Sequence, residues 1–134
     1  MKIVEIMTKK LETIEADAPI YDAIEKMIDR RIRSLLIKPT DERDVYGVIT
    51  VRDIVNKALA KNLDLNKTKV NEVTSKPLVC VDKGMDIDHA ITLMNKFNIS
   101  RVFVNDGKEI IGIISLLDVL SAELIKRARE GHRA

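Results

Sequence analysis

Apolar residues recur along this chain in two rhythms, and the succession of rhythms is itself repeated. Ile20, Ala23, Ile24, Met27 and Ile28 fall at helical spacing, which predicts an amphipathic helix that buries one face. Asp17 is available as its cap ahead of Pro19, near the helix start. SLLIK and VYGVIT follow as short β-branched runs around a polar loop, and the later runs RVFVN and EIIGIIS flank Asp106-Gly107. Each pair predicts an antiparallel hairpin. After Thr50 the apolar positions Ile54, Val55, Ala58 and Leu59 return to helical spacing, as Val119, Leu120 and Leu124 do after Ser115.

The chain is written twice. A shift of 81 − 14 = 67 pairs Ile14 with Val81, and the same shift pairs Ile20 with Ile87, Ala23 with Ala90, Ile24 with Ile91, Met27 with Met94 and Ile32 with Ile99. By Gly47 and Gly112 the shift has become 112 − 47 = 65, because PTDERDVY in the first copy is longer than NDGKEI in the second. Such a difference belongs in a surface loop. Each copy reads as strand, helix, two strands, helix, with residues 1–62 as the first repeat, 63–134 as the second and the polar KNLDLNKTK as connector. One sheet with helices on one face leaves apolar surface needing a partner. The expected fold is therefore α/β in the α+β sense: two βαββα repeats packed with pseudo-twofold symmetry, with clefts at the seam.

Composition narrows the function classes. Hydrophobic residues are 46% and charged residues 33% of the chain, and 23 basic against 21 acidic side chains leave a net charge of +2. No general field draws the molecule to nucleic acid or anionic lipid. The apolar segments are short, so no membrane span and no secretory leader are expected, and the expected location is cytoplasmic. The single cysteine, Cys80, sits in LVCV, which favours a buried core thiol. His89 and His132 have no ligand companions, so no metal site is expected. No nucleophile with a neighbouring base is recognisable, and no enzyme is expected.

Thr50-Val51-Arg52-Asp53 and Ser115-Leu116-Leu117-Asp118 place a hydroxyl three residues before an acid, ahead of an apolar run. That is a capping box, contributing about 0.5 to 2 kcal/mol per helix. The same glycine and strand residues precede it in both copies, and this order is more specific than the box alone. The stretches GVITVRDIV and GIISLLDVL, with IMTKKLETI and EVTSKPLVCV opening the copies, resemble a stand-alone tandem pair of cystathionine-beta-synthase (CBS) domains, the Bateman module, over nearly the whole chain.

The resemblance implies a regulatory module with no resident cofactor that binds AMP, ADP, ATP or S-adenosylmethionine between its repeats. It implies that Asp53 and Asp118 hold the ribose, and that Thr50 and Ser115 are their hydroxyl partners. A carboxylate has acceptor capacity for both ribose hydroxyls. One cleft would join Thr50 and Asp53 with Leu78, Val79, Ile99, Ser100 and Arg101. The other would join Ser115 and Asp118 with Leu11, Glu12, Ile32, Arg33 and Ser34. Thr8 and Thr74, ahead of the first strands, are further candidates. Arg33 and Arg101 fall near positions where the family places basic residues against phosphate, and a solvated helix end accounts for them equally well. A homodimer and an unidentified regulated protein are the implied partners. Two other classes stand beside this reading. One is an interaction module whose boxes only cap helices; the other is a nucleic-acid regulator using the basic ending IKRAREGHRA, which charge at a helix C-terminus explains more simply.

Overall fold

A computed structural model describes residues 1–131, so His132 lies outside the described residues. The elements run α1 (Ile3–Ile6), α2 (Ile20–Arg30), β1 (Ser34–Ile37), β2 (Gly47–Thr50), α3 (Val51–Ile54), β3 (Cys80–Asp82), α4 (Ile87–Phe97), β4 (Arg101–Asn105), β5 (Ile110–Ser115) and α5 (Leu116–Arg129). Helix α3 continues into a π-helical turn at Val55–Leu59, and a short 3-10 turn covers Val70–Glu72. Helices and strands are mixed, with two separate sheets, so the fold is α+β as the periodicity implied. No helix among the described residues is long and apolar enough to cross a membrane.

The chain forms two compact units. A continuous unit comprises Glu12–Leu78, and a split unit comprises Met1–Leu11 with Val79–Ala134. In the split unit β3 pairs parallel to β4, and β4 pairs antiparallel to β5. In the continuous unit β1 and β2 form the antiparallel hairpin, and the strand expected before α2 is reduced to one parallel bridge from Thr13 to Leu36. Adding 67 to that bridge gives Cys80 and Phe103, which are partners in the β3–β4 ladder. The repeat therefore extends to strand register.

Each unit has its own core. Ile20, Ala23 and Met27 of α2 pack against Leu35, Ile37 and Ile49 of the hairpin, while Ala90 and Met94 of α4 pack with Val102, Val104 and Ile114. The equivalent faces predicted from the spacing are thus the buried ones, with Ile24 partly buried and Ile28 exposed. Cys80 corrects the expectation of a core thiol: it is only partly buried, and its Sγ accepts from Asn105 Nδ2 at 3.2 Å. The reason is the alternation along β3, which turns Val81 inward and leaves the residues on either side of it more open.

The helix starts are satisfied from far away in sequence. Asp17 does not cap α2; Pro19 is the N-cap and supplies no side-chain hydrogen bond. Instead Ile20 N–H donates to the Thr68 carbonyl and Tyr21 N–H to the Leu65 carbonyl, each at 3.0 Å. Ile87 N–H at the start of α4 likewise donates to the Met1 carbonyl at 3.0 Å. Since 68 − 1 = 67, these two acceptors are also equivalent. Backbone carbonyls satisfy the orphan amides that a helix start always leaves.

The segment leading into each repeat also joins a strand. Thr8 exchanges two backbone hydrogen bonds with Ile113, at 2.8 and 3.0 Å, and Ser75 does the same with Val48, at 2.9 and 3.0 Å. Gly112 and Gly47 make room for this approach. A Cβ on Gly112 would lie 2.7 Å from Met7 Sδ and 2.9 Å from the Thr8 carbonyl oxygen, and one on Gly47 would lie 2.6 Å from Thr74 Cγ2. The glycine of the repeated phrase is therefore a requirement of close backbone contact. Either Gly112→Ala or Gly47→Ala should destabilise the protein by about 1 to 3 kcal/mol in urea denaturation. Gly84→Ala, which meets only the Asp82 carboxylate at 3.2 Å, should stay within about 0.5 kcal/mol.

The longer loop of the first copy is closed by Asp44. Its Oδ1 accepts from Lys76 Nζ at 2.7 Å and from Val45 N–H at 2.9 Å, and Oδ2 accepts from Thr40 N–H at 2.9 Å. The Lys76 ammonium, followed by those amides, holds the Asp44 carboxyl well below the usual carboxylate range. A carboxyl depressed by folding contributes stability that is complete above its unfolded value and is lost as pH falls toward its folded one. The stability difference between wild type and Asp44→Asn should accordingly be constant above about pH 5 and shrink below about pH 4, as read from urea midpoints.

Candidate functional site

The repeated phrase sits where a strand turns straight into a helix. Thr50 ends β2 and caps α3 with φ −114° and ψ 163°, and Ser115 ends β5 and caps α5 with φ −115° and ψ 168°. Thr50 Oγ1 accepts from Asp53 N–H at 3.0 Å while Asp53 Oδ2 accepts from Thr50 N–H at 3.0 Å. Ser115 Oγ accepts from Asp118 N–H at 3.2 Å while Asp118 Oδ2 accepts from Ser115 N–H at 2.8 Å. Both capping boxes exist. Each binds one carboxylate oxygen and leaves the other, Oδ1, for different work.

The neighbouring strand completes the turn. Val51 N–H donates to the Arg33 carbonyl at 3.0 Å, and Leu116 N–H donates to the Ser100 carbonyl at 3.1 Å. Ser34 lies opposite Thr50 in the β1–β2 ladder, and Arg101 lies opposite Ser115 in the β4–β5 ladder. Arg33-Ser34 of the first copy is therefore aligned with Ser100-Arg101 of the second: the same pair of residue types, in reversed order.

The continuous unit brings Thr50, Asp53, Arg33 and Ser34 together around one strand-to-helix turn. The split unit does the same with Ser115, Asp118, Ser100 and Arg101, and seats Thr8 on the next position of the sheet edge. Ile32 packs partly buried against the core of the continuous unit, and Ile99 and Val79 against that of the split unit. Leu78 is the last residue of the continuous unit, half-buried, and Leu11 the last of the N-terminal stretch of the split unit, also half-buried. Glu12 is engaged by Arg30 Nη1, which donates to both its oxygens at 2.9 Å. An open pocket of about 430 Å³ in the continuous unit lies between residues 13–16 and 38–40 and includes none of these groups.

Two residues that matter at Asp53 were not among the sequence candidates. Ser75 Oγ donates to Asp53 Oδ1 at 3.2 Å, and Lys57 Nζ lies 3.0 Å from the same oxygen. Thr74 makes a different bond, donating to the Val70 carbonyl at 2.9 Å. The signals were present in the chain. Adding 67 to Thr8 gives Ser75 rather than Thr74, and Lys57 stands one helical turn after Asp53.

The CBS domain model matches residues 3–60 and again residues 70–125. A hexameric CBS-CP12 protein from bloom-forming cyanobacteria is 33% identical, with a TM-score of 0.83 over 95% of this chain and 74% of its own. The CBS domain pair of protein MJ0100, solved in complex with 5′-methylthioadenosine and S-adenosyl-L-methionine, is 29% identical, with a TM-score of 0.75 over 92% of this chain and 99% of its own. An uncharacterized protein of Methanocaldococcus jannaschii, MJ0450, is 29% identical over 93% of this chain and 69% of its own length. With two matched domains spanning most of its length, and the repeated glycine, hydroxyl and acid built into equivalent turns, this chain belongs to the CBS domain family.

Proposed function

We propose that this protein is a regulatory module, not an enzyme, that binds an adenosyl compound and relays its occupancy to another protein. The candidate ligands are AMP, ADP, ATP and S-adenosylmethionine, bound as signals rather than as cofactors. The observation that carries the reading is the state of Asp118. Among the described residues its Oδ2 accepts the Ser115 amide and nothing donates to Oδ1, so a half-buried, ready acceptor faces a turn that also presents Ser115, Ser100 and Arg101. A ribose offers two adjacent hydroxyl donors, and charge-assisted bonds to a carboxylate are each worth about 1.5 to 3 kcal/mol. The related pair of MJ0100 in complex with two compounds that share an adenosine group supports the same chemistry here.

Relay requires that the ligand prefer one arrangement of the protein over another, since equal affinity shifts nothing. The partner surface we favour is a second copy of the chain. Leu117, Leu120 and Leu124 of α5 are 71%, 64% and 71% exposed, at the spacing of one helical face. A hexameric relative supports self-association. The basic end of α5 carries Lys126, Arg127 and Arg129 in its last turn, where positive charge complements the helix dipole.

Isothermal titration calorimetry with AMP, ATP and S-adenosylmethionine should give micromolar binding of at least one. Asp118→Asn should weaken it about tenfold or more, in keeping with loss of one charge-assisted bond. If none of the three binds or raises the melting temperature at millimolar concentration, the boxes only cap helices and the interaction-module reading takes its place. Light scattering should find a dimer or larger assembly that Leu120→Glu disperses; a monomeric wild type would contradict the assembly.

A further inference from the structure

Asp53 and Asp118 are equivalent by repeat, since 118 − 53 = 65 matches the shift of the glycines before them, yet their second oxygens meet different surroundings. Asp53 Oδ1 is ion-paired with Lys57 Nζ at 3.0 Å and accepts from Ser75 Oγ at 3.2 Å, and Lys57 Nζ also donates to Ser75 Oγ at 3.3 Å. The three groups close a triangle. In the split unit the position matching Lys57 is 57 + 65 = 122, and Ala122 is buried with no polar side chain to offer. Thr8, which matches Ser75, makes no side-chain hydrogen bond among the described residues.

We propose that Lys57 decides which of the two acids takes a ligand: Asp118 is open to a vicinal diol, whereas Asp53 is closed by its own lysine and serine. This rests on the adenosyl reading above and sharpens it to one site per chain. An exposed ion pair alone would be too weak to exclude a ligand. Here the Asp53 side chain is only 12% exposed, so the pair is poorly screened. A neutral diol entering at Oδ1 must displace an ammonium and a hydroxyl together, so it replaces an ion pair and a hydroxyl–carboxylate bond with hydroxyl–carboxylate bonds alone. The lysine can be removed cheaply because 44% of its side chain faces solvent.

Calorimetric titration of the full chain with S-adenosylmethionine and, separately, with AMP tests this. Wild type should bind one equivalent per chain, and Asp118→Asn should weaken it about tenfold or more. Lys57→Ala, or Lys57→Gln should the first variant fold poorly, should gain a second equivalent that the added change Asp53→Asn removes. Two equivalents on the wild type, or only one on both lysine variants, would overturn the gate while leaving the adenosyl reading intact. If neither compound binds any of these proteins, the adenosyl reading fails and the gate with it.

Discussion

Two short backbone exchanges, Thr8 with Ile113 and Ser75 with Val48, hold the two strand-to-helix turns in place. Each brings the segment that leads into a repeat against the strand that ends in the hydroxyl and acid. A glycine is needed because a Cβ would collide with the arriving segment. Its conserved appearance in both copies of this one chain thus has a local mechanical cause. The same exchange carries Ser75 to Asp53, so a device of sheet assembly also gives the acid's second oxygen a hydroxyl partner.

The duplication is faithful in backbone and loose in side chains. Bridges, helix caps and strand registers coincide under shifts of 67 and 65. The groups around the two acids do not coincide: lysine in one copy corresponds to alanine in the other, and the arginine and serine at the strand start exchange places. Backbone bonding is costly to leave unmet once buried, which keeps both copies on one plan. Polar side chains at the turn carry no such obligation and are free to specialise.

Local relations were legible in the chain. The buried faces of α2 and α4, the two hairpins and both capping boxes follow from residues within a few positions of one another, where periodicity and turn chemistry act directly. Relations between distant segments were harder to read. Asp17 reads as a cap by local sequence alone, because the carbonyls of Leu65 and Thr68 that take the helix amides instead come from far along the chain. LVCV suggested a core thiol because an apolar run does not reveal which of its residues alternate outward on an edge strand. Lys57 and Ser75 were within reach of helical spacing and of the repeat shift, but a lysine on a helix is so often merely solvated that spacing alone does not single it out.

The central claim concerns one carboxylate oxygen on Asp118. A crystal structure of the protein grown with 5′-methylthioadenosine measures it directly. The account predicts both ribose hydroxyls within hydrogen-bond distance of Asp118, with Asp53 still paired to Lys57. A ribose held at Asp53 instead, or an adenosyl group seated away from either acid, would contradict it.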